Sequence, residues 1–142
     1  MDTLRVGIVG GGFAGKYHYE CLERVHGVNI EIVGATSLHA ESRQKYCEQR
    51  GIKPFDSVEA MLPEVDVLDI CSPPYAHHEQ ILAAAQAGTH VICEKPLTGY
   101  FGPEGAGEEW HGNEQPKALM REQVCERLRK LKAGVDSAGV GF

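Results

Sequence analysis

A short apolar stretch that runs directly into three spaced glycines constrains the fold of this chain more than any other feature. Residues 4–9 read L-R-V-G-I-V and lead into Gly10, Gly12 and Gly15, in the spacing G-x-G-x-x-G. The apolar run suits a buried parallel strand, whereas residues 13–25 change to the apolar spacing of a helix. The sequence therefore predicts a strand, a glycine-rich turn and a helix, the arrangement that begins a dinucleotide-binding fold.

Each glycine meets a different physical requirement. Gly10 permits the tight turn out of the strand, Gly12 leaves room for a pyrophosphate to approach the backbone, and Gly15 lets the helix pack close against the strand. The N–H groups of the first helical turn, around Phe13 and Ala14, lack partners within the helix and can face phosphates. Glycines also cluster in ordinary turns, but the strand before them and the helix after them favour the dinucleotide interpretation.

Length and charge limit the remaining possibilities. The 142 residues suffice for one domain, residues 1–142, but not for a dinucleotide domain joined to a substrate domain of similar size. A formal charge of −6 does not favour nucleic acid or anionic lipid as a partner, and the late basic residues indicate a solvated helix face. No apolar run approaches the ~18 residues of a membrane helix.

The cysteines and the N-terminus indicate a cytoplasmic protein. Five cysteines are scattered without C-x-x-C spacing, which favours a reducing compartment. The N-terminus lacks a basic region and a signal-length apolar run. We predict no metal site.

The end of the second predicted strand bears on the choice of cofactor. This strand covers residues 28–35 and stops at Thr36 and Ser37, where an NAD-binding unit carries an acid about 20 residues past the glycines. Ser37 stands in that place, and Arg43 follows on a predicted helix. A hydroxyl and a cation can hold a 2′-phosphate that a carboxylate would repel, so NADP is slightly favoured over NAD. The alternative for Arg43 is an ordinary surface arginine.

After a short predicted edge strand over residues 51–55, a further strand over residues 65–71 is predicted to lead into Ser72-Pro73-Pro74, at the edge where open α/β sheets bind ligands. Asp66 and Asp69 are not both expected to be buried in it without partners, so one should lie near its start or edge. In the next predicted helix, 75–87, His77 could meet a cofactor ribose or phosphate, or be a capping or surface histidine. His78 is predicted to be exposed.

The last predicted strand, residues 90–94, leads into Glu94-Lys95-Pro96. A lysine just past a buried strand can be partly desolvated, which suits it to polarise a carbonyl or take a hydroxyl proton. Glu94 could orient that ammonium group, and Pro96 allows a cis peptide bond. The alternative is an ion pair that only fixes the turn.

The C-terminal third is predicted to contain a loop and a helix. Residues 99–116 form a long loop rich in glycine and proline, with three aromatic residues, and we expect it to cover part of the crevice or to pack on a partner. A helix over 117–133 should end at Gly134. Residues 135–142 resemble the entry to another strand, so the chain is expected to be part of a longer protein.

Three separated stretches resemble one protein family. They are residues 6–15 with His18, residues 71–77 with the A-G-T-H-V that follows, and Glu94-Lys95-Pro96. Together they are similar to the N-terminal domain of the Gfo/Idh/MocA oxidoreductases, a group that includes glucose–fructose oxidoreductase and inositol dehydrogenase.

The resemblance implies an α/β fold with a doubly wound parallel sheet, followed by a substrate domain that this chain lacks. It implies NAD or NADP as cofactor, a sugar, cyclitol or similar small-molecule substrate, and a homo-oligomer at full length. By the same resemblance Lys95 lies near the nicotinamide and the substrate oxygen, while Ser72, Pro73, Pro74 and His77 line the cofactor. The domain alone is expected to be inactive.

The expected site can be stated residue by residue. The predicted cofactor-binding residues are Gly10, Gly12, Phe13, Ala14, Gly15, Thr36, Ser37, Arg43, Cys71, Ser72, Pro73, Pro74, His77, Glu94 and Lys95, and Lys95 is also the predicted catalytic residue. A non-catalytic module that senses NAD(P) and acts through a partner is the alternative function. A methyltransferase would carry an acid at the end of the second strand, and Thr36-Ser37 disfavours it.

Overall fold

Strands and helices alternate along the chain. A computed structural model describes residues 3–103, 105–106 and 110–142. In chain order the elements are β1 (Thr3–Val9), α1 (Phe13–Leu22), β2 (Asn29–Thr36), α2 (Ala40–Glu48), β3 (Lys53–Pro54), α3 (Val58–Met61), β4 (Val67–Ile70), α4 (Pro74–Gln86), β5 (His90–Cys93) and α5 (Lys117–Ala138). Single 3-10 turns cover Leu62–Glu64 and Gly112–Glu114.

The five strands form one parallel sheet in the order β3-β2-β1-β4-β5. Strand β1 pairs with β2 on one side and with β4 on the other, so the direction of winding reverses beside β1. The carboxyl ends of β1 and β4 adjoin, because Val9 pairs with Ile70. Open α/β sheets bind ligands at such a reversal point. The predicted doubly wound parallel sheet is confirmed.

Apolar side chains cover both faces of the sheet. Ile8 and Val9 point to opposite faces of β1 and belong to different buried clusters. The Ile8 cluster includes Tyr46 and Cys47 of α2, and the Val9 cluster includes Ile81 of α4 and residues of α3 and α5. Helices therefore pack on both faces of the sheet.

The C-terminal segment differs from its prediction. Helix α5 continues to Ala138, with Gly139 in the left-handed conformation at its end, so the predicted stop at Gly134 and the strand over 135–142 are wrong. A Cβ atom on Gly134 would come within 2.7 Å of the Leu82 side chain. This glycine therefore permits close packing of α5 on α4 and does not end the helix.

Two aromatic side chains of the long loop pack against each other. Tyr100 and Trp110 pack edge-on, with ring centroids 5.5 Å apart. Among its described residues, none lines the cleft described below, so these do not meet the expectation that the loop covers the crevice. Residues 104 and 107–109 lie outside the described part of the chain. None of the described helices has the length and apolar character to cross a membrane.

Candidate nucleotide-binding site

A cleft of about 750 Å³ opens at the carboxyl ends of β1, β2 and β4. Residues from four segments line it: 9–12 after β1, 36–39 after β2, 56–58 before α3, and 71–73 after β4. Side chains of α2 and α4 complete the wall, namely Ser42, Tyr75, Ala76 and Gln80. The cleft lies on the predicted edge of the sheet, but no local sequence pattern indicated these helical residues.

The three glycines differ in their surroundings. Gly10 has a φ of 104°, and a Cβ atom there would lie 2.7 Å from the carbonyl oxygen of Cys71. A Cβ atom on Gly15 would overlap the carbonyl oxygen of Gly10, so α1 packs directly on the turn. A Cβ atom on Gly12 would meet no atom of the described chain within 4 Å. Gly10 and Gly15 are thus required by the fold, whereas Gly12 borders open space in the cleft.

Helix α1 begins at this glycine corner. Gly12 is its N-cap, and within the described chain no side chain caps the helix and no acid occupies its first turn. The first-turn N–H groups are therefore available to an anion, and the positive end of the helix dipole lies there. Of the predicted residues in this turn, Phe13 is 87% exposed and neither Phe13 nor Ala14 lines the cleft.

The end of β2 carries an ion pair that the sequence analysis did not foresee. Thr36 is buried and its carbonyl oxygen accepts the N–H of Gly10 at 2.8 Å. Arg43 Nη1 donates to the carbonyl oxygen of Ser37 at 3.2 Å, and Arg43 Nη2 donates to Asp56 Oδ1 at 2.7 Å. Arg43 thus lies beside Ser37, as predicted, but Asp56 offsets its charge. Asp56 lines the cleft, and Arg43 does not.

The turn after β4 is held from behind by a buried histidine. Ser72 and Pro73 line the cleft, and Pro74 begins α4. His77 is fully buried, with Nε2 2.8 Å from the carbonyl oxygen of Ser72 and Nδ1 3.0 Å from that of Pro96. Both ring nitrogens are occupied by backbone, so His77 joins two turns and offers no free nitrogen to the cleft.

His78 is also buried, at 4% exposure, so its predicted exposure is wrong. Burial, assisted by the Arg127 guanidinium, lowers the pKa of His78. His78 is buried because α5 packs against α4. The helical spacing of apolar residues in α4 does not by itself reveal this contact.

Behind the glycine corner lies a cluster of ionisable side chains. His18 Nδ1 is 3.0 Å from both carboxylate oxygens of Asp69, and His18 Nε2 is 3.2 Å from Glu94 Oε1. Cys71 Sγ donates to Asp69 Oδ1 at 3.6 Å. As expected, only one acid of this strand is buried, because Asp66 lies before β4 and pairs with Arg5.

The ionisable side chains of this cluster shift one another's pKa values. Burial raises the pKa of Asp69, although His18 opposes the effect. Burial lowers the pKa of His18, but the Asp69 and Glu94 carboxylates outweigh it and the net pKa is raised. The hydrogen bond from His18 lowers the pKa of Glu94, and burial followed by the Asp69 charge raises the pKa of the Cys71 thiol. The side chains of His18, Asp69 and Cys71 are close enough to hold a metal ion, their ligand atoms lying within 4.8 Å of one another.

Lys95 lies on the same edge of the sheet as the glycine corner. Strand β5 pairs with β4, and the N–H of Glu94 donates to the carbonyl oxygen of Ile70 at 2.9 Å, so the next residue leaves the sheet at its carboxyl end. The Lys95–Pro96 peptide bond is cis. Lys95 is exposed, so the predicted partial desolvation is not found. Glu94 is directed to His18 and accepts the backbone N–H of Lys95 at 3.1 Å.

Comparison with known proteins agrees with this geometry. The Gfo/Idh/MocA family model, described as an oxidoreductase family with an NAD-binding Rossmann fold, matches residues 4–109. D-glucoside 3-dehydrogenase of Escherichia coli (strain K12) is 38% identical over 136 residues, which are 92% of this chain and 33% of that protein. Inositol 2-dehydrogenase of Cereibacter sphaeroides is 34% identical over 99 residues, 67% of this chain and 29% of that protein.

A solved structure shares the fold over nearly the whole of this chain. It is the WlbA dehydrogenase from Bordetella pertussis in complex with NADH and UDP-GlcNAcA, with a TM-score of 0.74 and 27% identity. The similarity covers 97% of this chain and 33% of that one. This chain therefore spans about a third of the length of these similar proteins.

Proposed function

Since this chain belongs to the Gfo/Idh/MocA oxidoreductase family, we propose that it is the NAD(P)-binding domain of a dehydrogenase. The enzyme would transfer hydride between a nicotinamide and the hydroxyl or carbonyl group of a sugar, a cyclitol or a similar small molecule. The observation that carries the proposal is the open space beside Gly12, at the uncapped start of α1 and the reversal point of the sheet.

The residues around the cleft fit a dinucleotide. The backbone of Gly10 to Gly12 and the first turn of α1 would hold the diphosphate, because a side chain at Gly12 would occupy space that is now open. Thr36 and Ser37 would lie by the adenosine ribose, and Ser72 and Pro73 by the other half of the cofactor. When bound, the nicotinamide supplies the site that accepts or donates hydride.

Lys95 is the group on this chain that we assign to proton chemistry. Its ammonium would polarise a substrate carbonyl, or its amine would take the hydroxyl proton, at the carboxyl edge where the cofactor is expected to end. Exposure of Lys95 suits this role, because a substrate must reach it. The alternative role, an ion pair with Glu94 that fixes the turn, has less support because the Glu94 side chain is engaged by His18.

We favour NADP slightly over NAD. Ser37, just past β2, and Ser42, on α2, offer hydroxyl groups to the cleft, and Arg43 adds a cation beside Ser37. Asp56 opposes this preference, because its carboxylate lines the same cleft and would repel a phosphate. The net preference is therefore small and depends on the Arg43–Asp56 pair.

The rest of the enzyme would come from a further domain. Since the similar dehydrogenases are about three times as long as the matched region, we propose that a second domain binds the substrate and mediates homo-oligomer formation. Hydride transfer needs the reacting carbon of the substrate held about 3–3.5 Å from the nicotinamide. This domain alone would therefore bind the cofactor without turnover. No observation favours the non-catalytic sensing role.

Five free cysteines support a reducing, cytoplasmic location.

Calorimetric titration of this chain tests the proposal directly. NADPH and NADH should each bind with a stoichiometry of one, and S-adenosylmethionine should not compete. Absence of binding by both nicotinamide nucleotides, in a folded sample, would refute the proposed function.

A further inference from the structure

His18 is engaged on both sides by carboxylates from different strands. Nδ1 faces the two oxygens of Asp69 at 3.0 Å, and Nε2 faces Glu94 Oε1 at 3.2 Å. A neutral imidazole carries one N–H and could donate to only one of these acids, whereas the imidazolium donates to both. With both acids ionised, the geometry therefore requires the charged form of His18.

Burial makes this arrangement energetically selective. Asp69 is 1% exposed, and a buried carboxylate without a cation is strongly disfavoured. The hydrogen bond from Cys71 Sγ, at 3.6 Å, comes from a neutral and weakly donating thiol, so it does not compensate that charge. The His18 ring contacts the Asp69 carboxylate, and this contact with a buried acid holds the ring in place.

The fixed imidazole in turn fixes Glu94, and Glu94 fixes the start of the following turn. Glu94 uses Oε1 for His18 and Oε2 for the backbone N–H of Lys95 at 3.1 Å. A continuous path of hydrogen bonds thus leads from the buried strand β4, through α1, to the backbone of Lys95.

We propose that His18 is a positioning residue for Lys95: its ring lies between the buried Asp69 carboxylate and Glu94, and Glu94 in turn accepts the backbone N–H of Lys95 and holds that turn in place. The inference rests on the proposed function, since the position of Lys95 matters only if its side chain meets the substrate. His18 itself does not contact the reacting atoms in this assignment.

The surrounding ionisable groups can be named from each packed element. Asp69 and Cys71 face His18 from β4 and its end, and Glu94 faces it from the end of β5. Cys93 of β5 lies close enough to Asp69 and Glu94 to feel their charges, and Tyr17 lies edge-on to His18 from α1 itself at 6.5 Å between ring centroids. A metal ion held by His18, Asp69 and Cys71 is the competing use of the cluster. It would replace the hydrogen bonds from His18 with metal–ligand bonds.

Nuclear magnetic resonance on the labelled chain tests the proposal without needing turnover. The His18 ring and the Lys95 backbone N–H are followed as a function of pH, and Lys95 N–H exchange with solvent is measured. The Lys95 amide should titrate with the same midpoint as His18, in addition to any step from Glu94. In His18→Gln that shared midpoint should vanish. Lys95 N–H exchange should accelerate about tenfold, because the hydrogen bond from His18 that holds the Glu94 carboxylate is lost.

Controls separate positioning from a general loss of structure. His26→Gln removes an exposed histidine and should change neither the Lys95 midpoint nor its exchange. Glu94→Gln leaves His18 paired to Asp69 and should abolish the coupling to Lys95 while His18 still titrates. If His18→Gln does not fold, the wild-type titration and Glu94→Gln still decide the question.

Each remaining outcome has a defined meaning. A Lys95 amide that ignores the His18 titration, or a zinc ion bound in native mass spectrometry of the purified chain, would overturn the positioning role. Adding NADPH to the same sample distinguishes the two proposals. Coupling without any response to NADPH would retain the His18 network and refute the proposed function, whereas a normal NADPH response without coupling would refute the positioning role alone.

Discussion

Gly15 approaches the carbonyl oxygen of Gly10 so closely that any Cβ atom on Gly15 would overlap it. The contact joins the first turn of α1 to the turn that leaves β1, and the obstructing atom belongs to the backbone. Neither partner can move away without displacing the helix from the sheet.

We therefore expect Gly15→Ala to destabilise the domain by about 1–3 kcal/mol or more, the cost of overpacking a rigid site. Urea denaturation followed by circular dichroism measures it. Gly12→Ala is the matched control, because its Cβ atom would meet no atom of the described residues within 4 Å, and its free energy of unfolding should stay within about 0.5 kcal/mol of wild type. Equal stability of the Gly15→Ala variant would contradict the close packing.

The Arg43–Asp56 pair should set the balance between NADPH and NADH. Asp56→Asn removes a negative charge from the cleft wall and releases Arg43, so the NADPH affinity should rise about three- to tenfold with little change for NADH. Arg43→Gln should lower NADPH affinity by a similar factor. Calorimetric titration with both nucleotides measures the ratio.

Lys45→Gln provides the control for that experiment, since it removes an exposed positive charge from the same helix, away from the cleft lining. Its nucleotide preference should match wild type. If Arg43→Gln and Lys45→Gln had the same effect on the ratio, the preference would come from overall charge and not from the pair.

Lys95 should control turnover more than cofactor binding. When the domain is produced together with the proposed substrate-binding domain, Lys95→Ala should lower kcat at least about 10²-fold, the contribution typical of a general acid–base group. The dissociation constant of the cofactor should change by less than about threefold. Steady-state kinetics and fluorescence titration measure the two quantities. Lys132→Ala, an exposed lysine on α5, should leave both unchanged, and an unaltered kcat in Lys95→Ala would assign Lys95 to the turn alone.

The raised pKa of His18 predicts a loss of stability toward alkaline pH. Burial by itself would lower this pKa, but Asp69 and Glu94 raise it above its ordinary value. The stabilisation is then complete below the unfolded pKa of about 6.5 and disappears as the pH rises through the folded pKa. Burial gives His78 a lowered pKa and thus a contribution of opposite sign, so a comparison of variants is needed.

The difference in free energy of unfolding between wild type and His18→Gln should therefore be largest near pH 6 and shrink above neutrality. Urea denaturation at a series of pH values provides the measurement. A difference that stays constant or grows with pH would show that His18 is neutral in the folded chain.

The sequence was informative where local patterns determine structure. The apolar run before Gly10, the glycine spacing and the turn residues after each strand place the strand ends on one edge, because consecutive parallel strands share that edge. The Glu94-Lys95-Pro96 turn was located on the same reasoning. The cost of burying two acids on one strand predicted that one of Asp66 and Asp69 lies near the start or edge of the strand, but not which of the two.

Contacts between distant segments could not be predicted in this way. The spacing of apolar residues in α4 does not reveal that α5 covers His78. A glycine at the end of a helical pattern normally predicts the end of the helix, but Gly134 lies within α5 and packs on Leu82. Likewise, His77 and Arg43 were placed near the correct strand ends, but their partners Pro96 and Asp56 come from other turns. Pairing across the fold decides what these side chains are free to do.

We expect a nicotinamide dinucleotide to bind with its diphosphate against the bare backbone at Gly12. Calorimetric titration of Gly12→Val with NADPH and NADH tests it most directly, alongside a thermal denaturation of the same sample. We predict that the variant folds with a nearly unchanged melting temperature and loses binding of both nucleotides by at least about 100-fold. A folded Gly12→Val variant that binds either nucleotide as tightly as wild type would contradict the account.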